Sequence, residues 1–429
     1  MYNVQLKYIE LCNRICNNWI KKTNIWDEYF MKHKSLWYIF FFFLITSTIN
    51  ACSPSLTTTT IPVLQTETSS PPIQSTPTIS PSTLARLEPT SGTYFGVNLD
   101  WAKDSPAAFD QRLGHHAAVY VQFFRFPLGE ADLASLDKTV KAISDVGGMM
   151  MITLEPFDGL VAVTPEVATA LADRLAEVNA RGILTFVRFA HEMNGSWYPW
   201  SQQPATYVKA FRIVADAIHS RAPQSAMIWA PSYGGGYPFK GGQFVAKPEN
   251  TDFGLLDTNH DGQLDMNDDP YRPYYPGDEA VDWVGMSIYH WGSTYPWGEN
   301  EIPEAGKFLA QLTGNYNGLG GDDRTLPDFY EIYYKGHGKP VAIPETAAFF
   351  DPARSGSTQV VLKQSWWRQV LDRALLVAYP GIKMINWFEW AKSESEVGGA
   401  LVDWRALGSP AVAEQFRADL PLDRLIFSP

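Results

Sequence analysis

Residues 182–200 read GILTFVRFAHEMNGSWYPW, and this stretch decides the fold. Its first half is a short run of apolar, β-branched and aromatic residues, which is typical of a strand that is buried on both faces. The run ends abruptly in an ionisable pair, His191 and Glu192, and Asn194 follows two positions later. Polar residues directly after a buried strand indicate a parallel sheet, because α/β proteins carry their chemistry at the carboxyl ends of the strands.

The same pattern recurs along the chain. Buried strands are predicted at 93–99, 118–124, 148–154, 183–189, 226–230, 282–288, 340–344 and 382–388, and helices with apolar residues at spacings of three and four are predicted at 131–146, 165–180, 205–221 and 359–378. Strands that alternate with helices in this way predict a (β/α)₈ TIM barrel over residues 89–429, with long loops on its carboxyl-terminal face. An open doubly wound sheet is the alternative, but the residues after the first strand, NLDWAKD, lack its glycine-rich phosphate-binding turn.

The residues before the barrel have a different character. Residues 31–51 carry two lysines, a short apolar run and then small residues, which is the layout of a secretory signal. The segment ends in INAC, which resembles a bacterial lipobox and predicts that Cys52 is lipidated; an uncleaved anchor or a plain signal peptide is the alternative. Residues 52–88 are rich in Ser, Thr and Pro and predict a disordered tether. Residues 1–30 fit neither scheme, which favours Met31 as the translation start.

Composition narrows the function further. The net charge of −12 argues against nucleic acid as a partner, and leaves a lipid anchor as the only expected contact with a membrane. The three cysteines all lie at or before residue 52, so the folded part has neither a disulfide framework nor a thiolate metal site. The aromatic content of 14% suits stacking on sugar rings as well as it suits an aromatic-rich core, and composition leaves both open.

The predicted strand ends carry many polar and aromatic residues: Asp100, Trp101, Arg125, Glu155, His191, Glu192, Asn194, Ser232, Tyr289, His290, Trp291, Glu345, Trp387, Glu389 and Trp390. Glu192 and Glu345 follow the fourth and seventh strands and therefore lie on nearly opposite walls of the barrel mouth. Hydrolysis of a glycosidic bond needs two carboxyl groups that flank the anomeric carbon, one protonated and one ionised. A structural ion pair with Arg125 or Arg188 is the alternative, and the surrounding aromatic residues favour catalysis.

Several strings of residues resemble one family. RFAHEMNGSWYPW (188–200) resembles the acid/base signature of glycoside hydrolase family 26, a group of β-mannanases and related β-glycanases. KPVAIPETA (339–347) resembles the nucleophile segment of that family, VDWVGMSIYHW (281–291) its sixth strand, and INWFEW (385–390) its aromatic eighth strand. The resemblance covers residues 90–425 and is loose between these motifs. It implies a barrel enzyme of the endo-β-1,4-mannanase type that works by a retaining double displacement without a catalytic cofactor.

Carried over residue by residue, the resemblance implies that Glu192 is the general acid/base and Glu345 the nucleophile. Arg188 would help to keep Glu345 ionised, and His191 and Tyr289 would hydrogen-bond the nucleophile or the sugar. The remaining substrate-binding candidates are Asn194 and four tryptophans expected to be stacking platforms, Trp197, Trp200, Trp291 and Trp387. For each tryptophan taken singly, packing in the core is the alternative.

One strand end departs from the family pattern. Family mannanases usually end the third strand with a Trp-His-Pro type of sequence, whereas this chain has TLEPF at 153–157. Glu155 is therefore expected to line the subsite that holds the attacked sugar. The departure leaves mixed-linkage glucan and xylan open as substrates beside mannan.

Two other classes of protein compete with an enzyme. A non-catalytic glycan-binding surface lipoprotein could use the same barrel, but the presence of both Glu192 and Glu345 argues against it. In a calcium-dependent adhesion or scaffold protein, carboxylates are not expected to converge on one rim of the barrel. The favoured interpretation is a monomeric glycoside hydrolase that acts on a polysaccharide or oligosaccharide and is secreted or lipid-anchored at the bacterial cell surface.

The segment DTNHDGQLDMNDD (257–269) has the layout of an EF-hand calcium loop. Its predicted ligands are Asp257, Asn259, Asp261, Gln263 and Asp268, with Gly262 at the sharp turn and Asp265 at the ninth position. A solvated acidic turn is the alternative. Because the segment lies in the long connection after the fifth strand, bound Ca²⁺ is expected to have a structural role and to stiffen a loop beside the active site.

Chelation is therefore predicted to destabilise the protein. If Ca²⁺ binds only the folded state, its removal lowers the free energy of unfolding by about 2.7 kcal/mol when the free ion was at a hundredfold excess over its dissociation constant. Thermal unfolding in EDTA and in excess Ca²⁺ measures this, with Asp261→Asn as the variant that should respond to neither. A melting temperature that EDTA leaves unchanged would remove the calcium prediction.

Overall fold

In the computed structural model, residues 84–293, 295–318 and 326–428 are described. Eight strands form a closed barrel: β1 (Thr93–Leu99), β2 (Val119–Arg125), β3 (Met149–Glu155), β4 (Thr185–Phe189), β5 (Ser225–Trp229), β6 (Trp283–Gly285), β7 (Val341–Thr346) and β8 (Ile382–Glu389). Each strand pairs in parallel with the next one along the chain, and β8 pairs back with β1 to close the ring. The predicted (β/α)₈ TIM barrel is confirmed.

Helices lie between the strands and after the barrel: α1 (Pro106–Leu113), α2 (Glu130–Ser144), α3 (Pro165–Ala180), α4 (Pro204–Arg221), α5 (Phe253–Leu256), α6 (Lys307–Leu312), α7 (Gln359–Val370), α8 (Arg373–Ala378) and α9 (Pro410–Asp419). Shorter 3₁₀ turns span Leu160–Ala162, Arg272–Tyr274 and Ser395–Val397, and a π-helical segment spans Tyr330–Gly336. As predicted, Thr164 caps α3: its hydroxyl accepts a hydrogen bond from the amide of Val167, with Pro165 at the first helical position.

The predictions for the first 83 residues, which include the secretory signal, the lipidated Cys52 and most of the tether, lie outside the described residues and stay predictions. Within the ranges that are described, no helix is both long enough and apolar enough to cross a membrane.

Side chains alternate between two apolar layers along each strand, as the period of two requires. On β3, Met149 and Met151 join the cluster inside the barrel, whereas Met150, Ile152 and Leu154 join the cluster between the barrel and its helices. The inward row therefore continues past Met151 towards the carboxyl-terminal mouth, where the last residue of the strand is a glutamate.

The alternation fails on β7, and the failure positions a carboxylate. Ile343 pairs with Ile385 and Thr346 pairs with Trp387, so an extra residue is inserted into β7 opposite β8. Pro344 lies in this irregularity and cannot donate a backbone hydrogen bond. A bulge of this kind re-aims the side chains beside it, and the neighbouring residue is Glu345.

Some elements differ from the sequence-based expectations. The helix predicted over 359–378 is two helices, α7 and α8, because Asp372 between them is extended and its side chain caps the amide of Leu375. The sixth strand is shorter than 282–288, although single bridges at Ser287 and His290 extend its path. A hairpin formed by β9 (Ala391–Glu394) and β10 (Ala400–Asp403) follows β8, and a short strand β11 (Leu425–Ile426) pairs with β1; neither was predicted.

Candidate active site

Strand β4 delivers two functional side chains through an irregular end. Arg188 points into the barrel and is fully buried. Beyond it, Ala190 and Glu192 have φ values of 46° and 55°, a region that residues with a side chain rarely occupy. These two conformations accompany the end of the regular strand at Phe189, and Glu192 lies in the irregular segment that follows. The amide of Glu192 donates a hydrogen bond of 2.9 Å to the carbonyl of Ala230, just after β5, and this bond keeps the strained segment in place.

Glu345 is buried and both of its carboxylate oxygens accept hydrogen bonds. One oxygen accepts a hydrogen bond from the guanidinium of Arg188, and the other accepts one of 2.7 Å from the hydroxyl of Tyr289. Arg188 is fixed in turn by a second bond, 2.9 Å long, to the hydroxyl of Ser287. A charged donor and a neutral donor on the same carboxylate fix its orientation.

Glu192 has the opposite electrostatic environment. Burial raises the pKa of its carboxyl to about 7, and the negative charge of Glu345 adds to the shift, while the positive charge of Arg188 opposes it. One oxygen accepts a hydrogen bond from the indole nitrogen of Trp197 at 3.1 Å. The site therefore places a carboxyl group of raised pKa beside the carboxylate that Arg188 and Tyr289 hold.

A third carboxyl shares the same field. Glu155, at the end of the inward row of β3, is partly buried, and its pKa is raised to about 7, first by burial and then by the negative charge of Glu345. The positive charges of Arg188 and Lys392 act in the opposite direction and lower the pKa of Glu155. The coupling places Glu155 near the two other glutamates, and its expected role in the subsite of the attacked sugar stays a prediction.

His191 lies beside the glutamates without bonding to them. It is buried, and its ring packs against Phe123 and Tyr198 with centroids 5.6 and 5.0 Å apart. Burial and the charge of Arg188 hold its pKa well below the ordinary value, so the imidazole is neutral. Within the described residues, its Nδ1 has no hydrogen-bond partner.

Three predicted substrate contacts have other places in the structure. Trp200 and Trp387 are buried in the core, with 0% and 1% of their surfaces exposed, so neither offers a ring face to a sugar. Both ends of the Asn194 amide bind the backbone of Ser232, at 2.8 Å each, so this side chain ties the β4 loop to the end of β5. The structure corrects the expectation for these three residues and assigns them to packing and loop positioning.

The two other tryptophans lie at the mouth. Trp197 is 38% exposed, and its ring packs against that of Phe239 with centroids 5.1 Å apart. Its indole nitrogen donates a hydrogen bond to Glu192. Gly195 is required below it, because a Cβ there would meet the Trp197 ring at 2.5 Å. Trp291 is half-buried and packs edge-on against Trp404 at 4.7 Å. Both retain surface that a ligand can contact.

Sequence reasoning missed some residues of the site. Ser287 orients Arg188. The one feature of the sequence that could have indicated this role is the position of Ser287 in the sixth predicted strand. Lys392 lies on the unpredicted β9–β10 hairpin, so nothing in the pattern indicated it. Glu389, a strand-end carboxylate, is engaged elsewhere: it accepts the backbone amides of Ala406 and Leu407 at 2.8 and 2.9 Å.

The predicted calcium loop is compact. The carboxylate of Asp257 accepts the amides of Asp261 and Gly262, and that of Asp268 accepts the amides of Thr258 and Asp265. The side chain of Asn259 bonds to Asp261, and the amide of Gln263 also bonds to Asp261. Across the described parts of the chain, no group of three or more His, Cys, Asp or Glu side chains is arranged to hold a metal ion. Calcium binding stays a prediction.

Comparisons with known proteins identify a sequence relative and similar solved structures. No protein-family model matches the chain. Endoglucanase H of Acetivibrio thermocellus is 26% identical over 222 residues, which cover 48% of this chain and 21% of that protein, so the match spans about a fifth of that relative's length. Similar solved structures include an endo-β-1,4-mannanase double mutant of Cellulomonas fimi (18% identity, TM-score 0.47, covering 79% of this chain and 72% of that one). Another is the catalytic domain of a GH26 endo-β-1,4-mannanase from Bacillus sp. JAMB-750 (16% identity, TM-score 0.45, covering 78% of this chain and 87% of that one).

The raised pKa of Glu192 predicts a pH-dependent stability. Between its ordinary pKa of 4.5 and about 7, the folded state keeps a proton that the unfolded chain has lost, so stability falls as the pH rises through this window. At roughly 1.4 kcal/mol per pKa unit, the loss reaches about 3 kcal/mol. Glu192→Gln removes this loss, and its melting temperature should exceed that of the wild type at pH 8 and converge with it near pH 4.5.

Glu396→Gln is the matched control, because Glu396 is exposed and, among the described residues, accepts a side-chain hydrogen bond only from the neighbouring Ser395. It should follow the wild type at every pH. If Glu192→Gln also followed the wild type from pH 4.5 to 8, the description of Glu192 as a desolvated carboxyl beside a negative charge would be wrong.

Proposed function

We propose that this protein is a glycoside hydrolase that cleaves a β-linked polysaccharide by a retaining double displacement. One observation carries the proposal: Glu345 is fixed by Arg188 and Tyr289, and the neighbouring Glu192 has a raised pKa at the same barrel mouth. An ionised carboxylate beside a protonated carboxyl is what glycosidic cleavage requires. The strings at 188–200 and 339–347, which resemble the motifs of glycoside hydrolase family 26, support the same roles.

In the first step, Glu192 donates its proton to the glycosidic oxygen as the bond to the anomeric carbon breaks. Glu345 attacks that carbon and forms a glycosyl ester. In the second step, Glu192, now ionised, takes a proton from water, and the water oxygen displaces Glu345. The coupling between the two groups assists this cycle, because the loss of negative charge on Glu345 lowers the pKa of Glu192 once the ester has formed.

The residues around the pair have supporting roles in this proposal. Tyr289 and Arg188 hold the attacking oxygen in place, and the hydrogen bond from Trp197 orients the Glu192 carboxyl. The exposed part of the Trp197 ring and the half-buried ring of Trp291 are the proposed stacking surfaces for the sugar chain. His191 is proposed to pack behind the pair and not to contact the sugar, because only 2% of its surface is exposed.

The substrate is proposed to be a β-glycan, with β-mannan and β-glucan as its main candidates. The name of the relative from Acetivibrio thermocellus, an endoglucanase, supports the inclusion of glucans. The motif resemblance supports mannans, and the glutamate that ends β3 departs from the mannanase pattern. A panel of mannans, mixed-linkage glucans and xylans separates these candidates.

The proposal includes a location for the enzyme. The signal-like segment at 31–51, the lipobox-like Cys52 and the Ser/Thr/Pro-rich residues that follow support a monomeric enzyme tethered to the outside of a bacterial membrane. A structural Ca²⁺ in the loop 257–269 is part of the same proposal.

The assigned roles predict how Glu192→Ala behaves on two kinds of substrate. Natural polysaccharides have poor leaving groups and need the proton, so their cleavage should fall by about 10²–10⁴-fold. Formation of the glycosyl ester from a 2,4-dinitrophenyl β-glycoside needs little protonation and should be largely spared. Steady-state and burst kinetics on both substrates measure the difference.

Glu345→Gln is the matched comparison, and it should abolish cleavage of both substrates because a neutral amide replaces the carboxylate nucleophile. Equal losses in Glu192→Ala on both substrates would contradict its role as acid. Binding of a β-glycan by the wild type without cleavage of any member of the panel would favour a non-catalytic glycan-binding protein instead.

A further inference from the structure

Glu155 occupies an unusual position for a carboxyl group. It ends the inward row of β3, which begins with Met149 and Met151 inside the barrel, so its side chain continues that row at the mouth. Thr153 of β3 pairs with Arg188 of the neighbouring strand β4. Glu155 is two residues beyond Thr153 on β3, so it lies closer to the mouth than the arginine that holds the nucleophile. The electrostatic coupling of Glu155 to both Glu345 and Glu192 agrees with this placement.

Within the described residues, no hydrogen bond or ion pair engages the Glu155 carboxylate. The two nearby cations are committed to other partners: Arg188 to Glu345 and Ser287, and Lys392 to Glu394 at 3.2 Å. A carboxyl that stabilised the fold would be paired or would accept backbone amides, as Glu389 does. Glu155 is partly buried and has no such partner among the described residues, which is unfavourable for stability and indicates that its carboxylate is available to a ligand.

Lys392 approaches Glu155 from the other side of the mouth. It extends from the β9–β10 hairpin, lies over the ring of Phe388 at 5.5 Å and contributes a positive charge at Glu155. Because β3 and β8 are three strands apart around the ring, Glu155 and Lys392 border the same opening from separate walls.

From this geometry we propose that Glu155 binds a hydroxyl group of the sugar ring held between Glu192 and Glu345, and that it selects glycans in which this hydroxyl is free. The inference rests on the proposed function. A sugar O–H donates to the carboxylate, so a ring that is O-acetylated or O-methylated at that position loses the bond and leaves the carboxyl unpaired. Lys392 is a positioning residue that supports the charge of Glu155 from the hairpin.

The test combines enzyme variants with altered substrates. The parent substrate is the 2,4-dinitrophenyl β-glycoside that the wild type cleaves, and the analogues lack one hydroxyl of the attacked ring at a time. Glu155→Ala should lower kcat/KM on the parent by about 10–100-fold, as expected for one hydrogen bond to a charged group. On one monodeoxy analogue, and on no other, the wild type and Glu155→Ala should agree within about threefold.

Glu155→Gln, which keeps the shape and can still accept a hydrogen bond, should recover part of the loss. Glu396→Gln, an exposed carboxylate beside the same hairpin, should match the wild type on every substrate. Melting temperatures of the Glu155 variants should equal or exceed that of the wild type, since an unpaired carboxyl is removed. A structural role would instead lower the melting temperature and reduce activity on all analogues alike.

The outcomes separate the two proposals. If the wild type cleaves β-glycans but Glu155→Ala loses no activity, or if no analogue closes the gap between the two enzymes, the assignment of Glu155 is wrong and the proposed function stands. If the wild type cleaves neither any glycan of the panel nor any aryl β-glycoside, both proposals are wrong.

Discussion

The buried ion pair between Arg188 and Glu345 is the interaction on which the site depends. Arg188 is fully buried inside the barrel, where an unpaired guanidinium would be strongly unfavourable. Removing one partner of such a pair costs about 3–5 kcal/mol, because the other charge is left uncompensated. The pair therefore constrains the neighbouring elements: β4 must carry the arginine inward, and the bulge of β7 must aim the glutamate towards it.

The same pair sets the electrostatics of the mouth. Because Arg188 is neutralised by Glu345 and shared only with Ser287, its field is too weak to cancel the effect of burial on the other carboxyl groups. Glu192 and Glu155 consequently have raised pKa values, although they lie close to an arginine. The strained backbone is held by two hydrogen bonds, from the amide of Ala190 to the carbonyl of Leu154 on β3 and from the amide of Glu192 to the carbonyl of Ala230 just after β5. Asn194 ties the same loop to Ser232.

Much of the fold, and the meeting of Glu192 and Glu345 at the barrel mouth, could be predicted from the sequence for physical reasons. A strand buried on both faces is uniformly apolar, so the change to polar residues after Phe189 marks its end and places Glu192 at the mouth. The period of strands and helices predicted the barrel. The hairpin of β9 and β10 could not be predicted in this way, because its exposed residues, Lys392 among them, carry no apolar pattern.

The orientation of individual side chains depended on tertiary packing. The motif that contains Trp197 also contains Trp200, and only the structure shows that the first is partly exposed while the second is buried with its indole on the carbonyl of His191. The β7 bulge could not be predicted either, although Pro344 was a signal that a ladder bond is missing there. Strand spacing alone would have pointed Glu345 away from the barrel interior.

The stereochemistry of cleavage tests the central claim most directly. If Glu345 attacks the anomeric carbon and water then displaces it, two inversions leave the configuration of the cleaved bond unchanged. Proton NMR of a fresh digest of a β-glycan, recorded before mutarotation, reads the anomeric signal of the first product. The account predicts the β-anomer as that product. The α-anomer as the first product would mean that a water molecule, and not Glu345, attacks the sugar, and would contradict the account.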